Sequence, residues 1–175
     1  MEQSIRRKWF RGARKLFWSS AATALAFDQL TKWLLWHHPR EGYPPVDIIP
    51  YLLRVVSHPG NRGGALGLPG SPLLYALAAL VVLPFIGFLF ATTPPDDGRA
   101  HFGLGLIAGG AVGNLIDRLS LGFVRDFVDL HLGEAFHWHT FNVADAAICI
   151  GVALVLWQFL FHPVAEEAGT EQEEA

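Results

Sequence analysis

The stretch Leu73–Thr92, LLYALAALVVLPFIGFLFAT, carries no charged side chain. A bilayer core about 30 Å thick is crossed by roughly 20 helical residues rising 1.5 Å each, so this stretch is long enough to span one. A water-exposed helix needs a polar stripe at helical period, and this run has none. Pro84 lies inside it and is tolerated in membrane helices, where neighbouring groups satisfy the freed backbone. Three further windows have comparable length: Phe17–Trp36, His101–Ser120 and Phe141–His162. The last holds one acid, Asp145, near its start. Composition agrees, with 51% hydrophobic and 17% charged residues in a chain of 175. That balance excludes a disordered tail, a collagen-like repeat and a highly charged nucleic-acid binder. The expected fold is therefore a membrane all-α protein of four transmembrane helices with a small β element.

Charge placement orients these spans. Arg6, Arg7, Lys8, Arg11, Arg14 and Lys15 crowd the segment 1–16, which by the positive-inside rule stays in the cytoplasm. Four spans return the acidic tail 163–175 to that side, with Trp36–Pro72 and Leu121–Thr140 outside. A cleavable signal peptide over residues 1–26 is the competing reading, since TALA resembles a cleavage site. Against it, the apolar pattern resumes in LTKWLLW just beyond Asp28 and Gln29. The outer segment 43–70 is rich in Pro and Gly but contains DIIPYLLRVV, which predicts a short surface sheet. NRGGALGLPG follows as a glycine-rich turn; it lacks the lysine and following helix of a phosphate loop.

Ionisable groups inside spans are costly, so each one is a functional candidate. Asp28 and Lys32 stand four apart on one face of the first helix. Asn114, Asp117 and Arg118 share a face near the end of the third. Asn142 and Asp145 open the fourth, and Asp126 follows Arg118 in the outer loop. Helix counting brings all of them to the same, outer face. Each has a plainer role: a structural ion pair at Asp28 and Lys32, a helix-end anchor at Asp117 and Arg118, a macrodipole charge at Asp145, an ordinary loop carboxylate at Asp126 or Asp129. Their convergence favours a catalytic site. A transporter or channel subunit would need polar groups down to the inner halves, which are nearly bare; a structural subunit would tolerate neutralising both aspartates.

Gly105, Gly109 and Gly113 form a small-residue stripe for close helix packing, with Gly110 expected to serve the same contact. Cys149, the single cysteine, falls mid-span and reads as a small buried apolar residue. His131, His137 and His139 cluster with Glu134 but fit no standard metal signature, so no metal or other cofactor is expected.

FDQLTK at 27–32, NRGGALG at 61–67, GGAVGNLIDRLSLGFVRDFVD at 109–129 and FNVAD at 141–145 resemble the ordered motifs of lipoprotein signal peptidase, also called signal peptidase II. The resemblance covers most of residues 17–162. It implies a four-helix aspartyl protease of the bacterial inner membrane with a periplasmic sheet, both termini cytoplasmic and the site at the periplasmic face. Such an enzyme cuts prolipoproteins just before a cysteine carrying diacylglycerol. By position the resemblance implies Asp126 and Asp145 as the catalytic pair, with Asn114, Arg118, Asn61, Asp28 and Lys32 supporting; Asn142 and Asp117 join the supporting set from their places on the helices. The chain departs from the pattern at Gly64-Ala65-Leu66, where the family usually has an aromatic residue, and in the HPG that precedes Asn61. Its expected partners are the lipid-modified substrate and membrane lipids, with no nucleic acid and a monomeric state.

Overall fold

The computed structural model describes residues 2–36, 44–56, 60–63, 70–133 and 136–161, and side chains from residue 12 onward. The departure at Gly64-Ala65-Leu66, most of HPG, Glu134 and the acidic tail lie outside the described residues. Among the described residues, four helices and four short strands follow in the order α1 (Glu2–Trp36), β1 (Val46–Ile49), β2 (Leu53–Val55), α2 (Pro72–Thr92), α3 (Gly98–Leu121), β3 (Val128–Leu132), β4 (Phe136–His137) and α4 (Val143–Phe161). The basic N-terminal segment and the first apolar window form one continuous helix, α1.

The helix ends have local causes. Ser71 caps α2 by accepting from the Leu74 N–H at 3.2 Å, and Pro72 occupies the first turn, where no N–H is needed. Thr93 stops α2 in extended backbone, as the residue before Pro94 must. Asp97 then caps α3 through the Ala100 N–H at 2.9 Å, so α2 and α3 are joined by a short turn and run antiparallel. Gly122 ends α3 in the left-handed conformation, φ 76°, which an L side chain resists.

Helix α3 sits between α1 and α4 and also carries α2. Its glycines make this possible. A Cβ at Gly105, Gly109 or Gly113 would strike the Phe17 carbonyl, the Ala21 carbonyl or the Asp28 carboxylate of α1. Gly110 does not extend that stripe as expected. It faces α4, where an added Cβ would lie 2.5 Å from the Ala144 carbonyl oxygen. The turn of about 100° per residue explains the correction, since neighbours on a helix cannot share a face.

The interior core is small: Phe17, Ile86 and Leu104, with Phe90, Ile107 and Val155 packed around them. Most large apolar side chains point outward instead, Val81 at 72% and Phe159 at 76% exposure. Such a surface needs an apolar solvent. Helices α2, α3 and α4 are long and apolar enough to cross a membrane. Helix α1 is not among them, its apolar part being interrupted by Ser19, Ser20, Asp28, Gln29 and Lys32. Cys149 also lies on the exposed outer surface of α4, not in the core as its type suggested.

The strands form one antiparallel sheet in the order β1-β2-β3-β4. Only β1 and β2 come from the segment 43–70 expected to build it; β3 and β4 come from the loop before α4. Alternating burial along Val128–Leu132 marks that stretch as a strand with one covered face. Arg54 on β2 donates to Asp129 on β3 at 2.7 Å, tying the two halves together. Burial raises the Asp129 carboxyl's pKa, but the hydrogen bonds from Arg54 and His137 outweigh it and hold the group below the usual range. His137 stacks on His131 and meets Asp129 at 3.3 Å, so two members of the histidine cluster serve the sheet.

Candidate active site

Asp126 lies between two backbone brackets. On one side, Asn61 and Val124 exchange backbone hydrogen bonds, each 2.8 Å. On the other, Val128 and Phe141 exchange bonds of 2.9 and 3.0 Å. The first bracket brings Asn61 to Asp126; the second brings the start of α4 beside it. Asp126 is 1% exposed, and its two oxygens accept from the side-chain amides of Asn61, 2.9 Å, and Asn142, 2.7 Å.

Asn142 also closes a capping box with Asp145. The Asp145 N–H donates to Asn142 Oδ1 at 3.0 Å, and the Asn142 N–H donates to Asp145 Oδ2 at 3.2 Å. One asparagine therefore touches both carboxylates. Asn114 on α3 donates from Nδ2 to Asp145 Oδ1 at 2.8 Å, while its Oδ1 accepts from Asn142 at 3.1 Å and from Lys32 at 2.9 Å. Among the described residues, the groups that hydrogen-bond the two carboxylates are amides. Among the described residues no cluster of three or more His, Cys, Asp or Glu side chains is placed to hold a metal ion.

Behind the amides lies a buried charge network. Lys32, fully buried, directs its ammonium to Asp28 at 2.9 Å, Asn114 at 2.9 Å and Asp117 at 3.3 Å, which uses all three N–H donors. Asp28 reaches across to α4 and accepts from the Ala144 N–H at 3.0 Å, a carboxylate at a helix N-terminus. Asp28 and Lys32 thus pair as their spacing predicts. Their side chains contact each other, Gln29, Asn114, Asp117 and the α4 backbone, and among the described residues neither bonds Asp126 or Asp145.

Asp117 and Arg118 diverge although adjacent. Asp117 turns inward to Lys32 and to Arg125. Arg118 reaches the Gly63 carbonyl at 3.4 Å and lies over the Tyr75 ring, 5.5 Å from its centroid, so it joins the Asn61 loop and α2 to α3. Sequence reasoning missed two members, Gln29 and Arg125. Both sit inside quoted motifs, next to Asp28 and Asp126, and a charged or amide neighbour of a candidate acid was the available signal.

Burial, and after it the Asp145 charge, push the Asp126 carboxyl up to about 6, against the opposing hydrogen bonds from Asn61 and Asn142. A carboxyl with that value keeps its proton to a higher pH than an ordinary aspartate and exchanges it in the mildly acidic range. Apolar helices with two amide-bonded carboxylates at one end are the architecture of a membrane protein with a polar site at its surface. The peptidase A8 family model, described as Signal peptidase (SPase) II, matches residues 20–161. The chain is 38% identical to a lipoprotein signal peptidase of Coxiella burnetii, covering 83% of this chain and 90% of that one. It is 39% identical to one of Aquifex aeolicus, covering 83% and 86%, and 40% identical to one of Methylocella silvestris, covering 86% and 87%. Two solved bacterial membrane enzymes share its fold. One gives a TM-score of 0.74 at 28% identity, over 87% of this chain and 94% of the other; the second gives 0.72 at 30%, over 83% and 93%. The chain belongs to the signal peptidase II family.

Proposed function

We propose that this chain is an aspartyl endopeptidase, with Asp126 and Asp145 as its catalytic pair. Its substrates would be prolipoproteins carrying diacylglycerol on a cysteine, cut on the N-terminal side of that cysteine. The observation that carries this reading is the bridged dyad: two carboxylates on different elements, both touched by Asn142, with Asp126 raised to about 6. The ionised member takes a proton from water, whose oxygen attacks the scissile carbonyl. The protonated member donates to the developing oxyanion, and a proton passes to the departing amine as the C–N bond breaks. The dyad titrates as a unit, so the two roles belong to the pair. Asn142 and Asn114 orient the carboxylates, while Asn61 and Arg118 hold the loop beside them. Asp28, Lys32 and Asp117 brace the helices.

The topology we infer has four spans, with α1 crossing through its second half and its basic first half in the cytoplasm. The dyad then faces the periplasm at the inner-membrane surface, and the chain acts as a monomer. A site at that boundary lets a lipidated peptide enter sideways from the bilayer while water arrives from outside. The test uses purified chain in liposomes with a diacylglyceryl-modified precursor, and the same precursor unmodified. Cleavage of the lipidated form alone, insensitive to chelator, is expected. Equal cleavage of both forms contradicts the substrate reading, and loss of activity to chelator contradicts the aspartyl mechanism.

A further inference from the structure

Arg125 is not needed for the chemistry above, yet it is the best-anchored side chain beside the dyad. Its Nη2 donates to Asp117 Oδ1 at 2.6 Å and to Gln29 Oε1 at 3.0 Å, and its Nε bonds both Asp117 oxygens at 3.2 Å. Its backbone N–H also donates to Asp117 Oδ2 at 3.0 Å. Gln29 in turn donates to Asp28 Oδ2 at 3.0 Å and to the Gly113 carbonyl at 3.2 Å. Lys32 joins Asp28 to Asp117. The bonds therefore close a ring through Arg125, Gln29, Asp28, Lys32 and Asp117. Two cations face two anions in it, so the buried charges are compensated.

We propose that Arg125 is a positioning residue, which sets the place of Asp126 by locking its loop to α3 and α1 through this ring. The inference rests on the aspartyl reading. Three arguments support it. Arg125 precedes Asp126 directly, so a shift of its backbone moves the carboxylate. The ring leads by a separate route to the other carboxylate, since Lys32 bonds Asn114, which bonds Asp145. Both halves of the dyad are thus referred to one rigid set of charges. Finally, the guanidinium's planar fork spans Asp117 and Gln29 together, a geometry that a lysine ammonium does not reproduce.

The experiment measures kcat and KM, per folded enzyme, on a diacylglyceryl-modified precursor for wild type, R125M, R125K and Q29L, with D126N as the inactive reference. A misplacement of order 1 Å in a catalytic group costs about 100-fold, so R125M is expected to lose roughly 10- to 100-fold in kcat with KM nearly unchanged. R125K should recover part of that loss. Q29L, which removes one arm of the ring and leaves the Asp117 bonds, should lose less and keeps the test open where R125M does not fold. R125M at wild-type kcat, or with its loss confined to KM or to the melting temperature, overturns the inference while the dyad stands. A wild type that cleaves nothing, like D126N, overturns the peptidase reading and this inference with it.

Discussion

Asp126 meets two amide donors and a neighbouring charge, and their balance sets two pH dependences. Its carboxyl rises from 3.8 to about 6 on folding, burial being the main cause. The protonated form is therefore the one the fold favours. This contribution to stability is complete below pH 3.8 and is lost as pH rises through about 6. The shift corresponds to about 3 kcal/mol, and D126N, which never ionises, should gain melting temperature relative to wild type across that window. A difference that stays flat from pH 4 to 7 contradicts the assignment. The proposed mechanism needs the shared proton, so on it kcat/KM of the wild type should fall on the alkaline side through an apparent value near the same 6; a profile level from pH 5 to 8 argues against the dyad. Lys32, enclosed by two carboxylates, gives a third test. K32M leaves Asp28 and Asp117 without their shared cation, at a cost of about 3–5 kcal/mol, read as a fall in melting temperature.

Between elements, the glycines of α3 decide how near its neighbours come. Gly109 has no room for a Cβ against the Ala21 carbonyl, whereas Gly87 on α2 has nothing within 4 Å. G109A should therefore destabilise by about 1–3 kcal/mol through overpacking, while G87A should be neutral or slightly stabilising through helix propensity. Equal melting temperatures for the two variants would contradict the close packing of α1 on α3. The stripe itself was readable from four-residue spacing, and so was the Asp28–Lys32 pair, because both follow from helical period alone. The partner of Arg125 was not. Asp117 lies one turn back on α3, and only the reversal at Gly122 returns the chain to it. The second half of the sheet was hidden for a different reason. In Val128–Leu132 the two-residue alternation is present but short, and its aspartate and histidine read more readily as chemistry than as a strand.

At the scale of the molecule, apolar helices turn their large side chains outward while the polar groups gather where the end of α3 meets the start of α4. Long apolar runs made α2, α3 and α4 legible as candidate spans, and counting helix directions brought the polar residues to one end. What counting could not supply is the order among them: a dyad, a layer of asparagines, then a closed ring of charges. That layering comes from brackets between distant segments, Asn61 with Val124 and Val128 with Phe141, which no local pattern announces. Reporter fusions should place both termini on the cytoplasmic side; termini on opposite sides would exclude four spans. The central claim is that Asp126 and Asp145 together do the chemistry. Its most direct test is single-turnover cleavage of a diacylglyceryl-modified prolipoprotein by wild type, D126N and D145N, each inserted and folded in liposomes. The account predicts cleavage by the wild type and none by either variant. Wild-type turnover by D126N or D145N would contradict it.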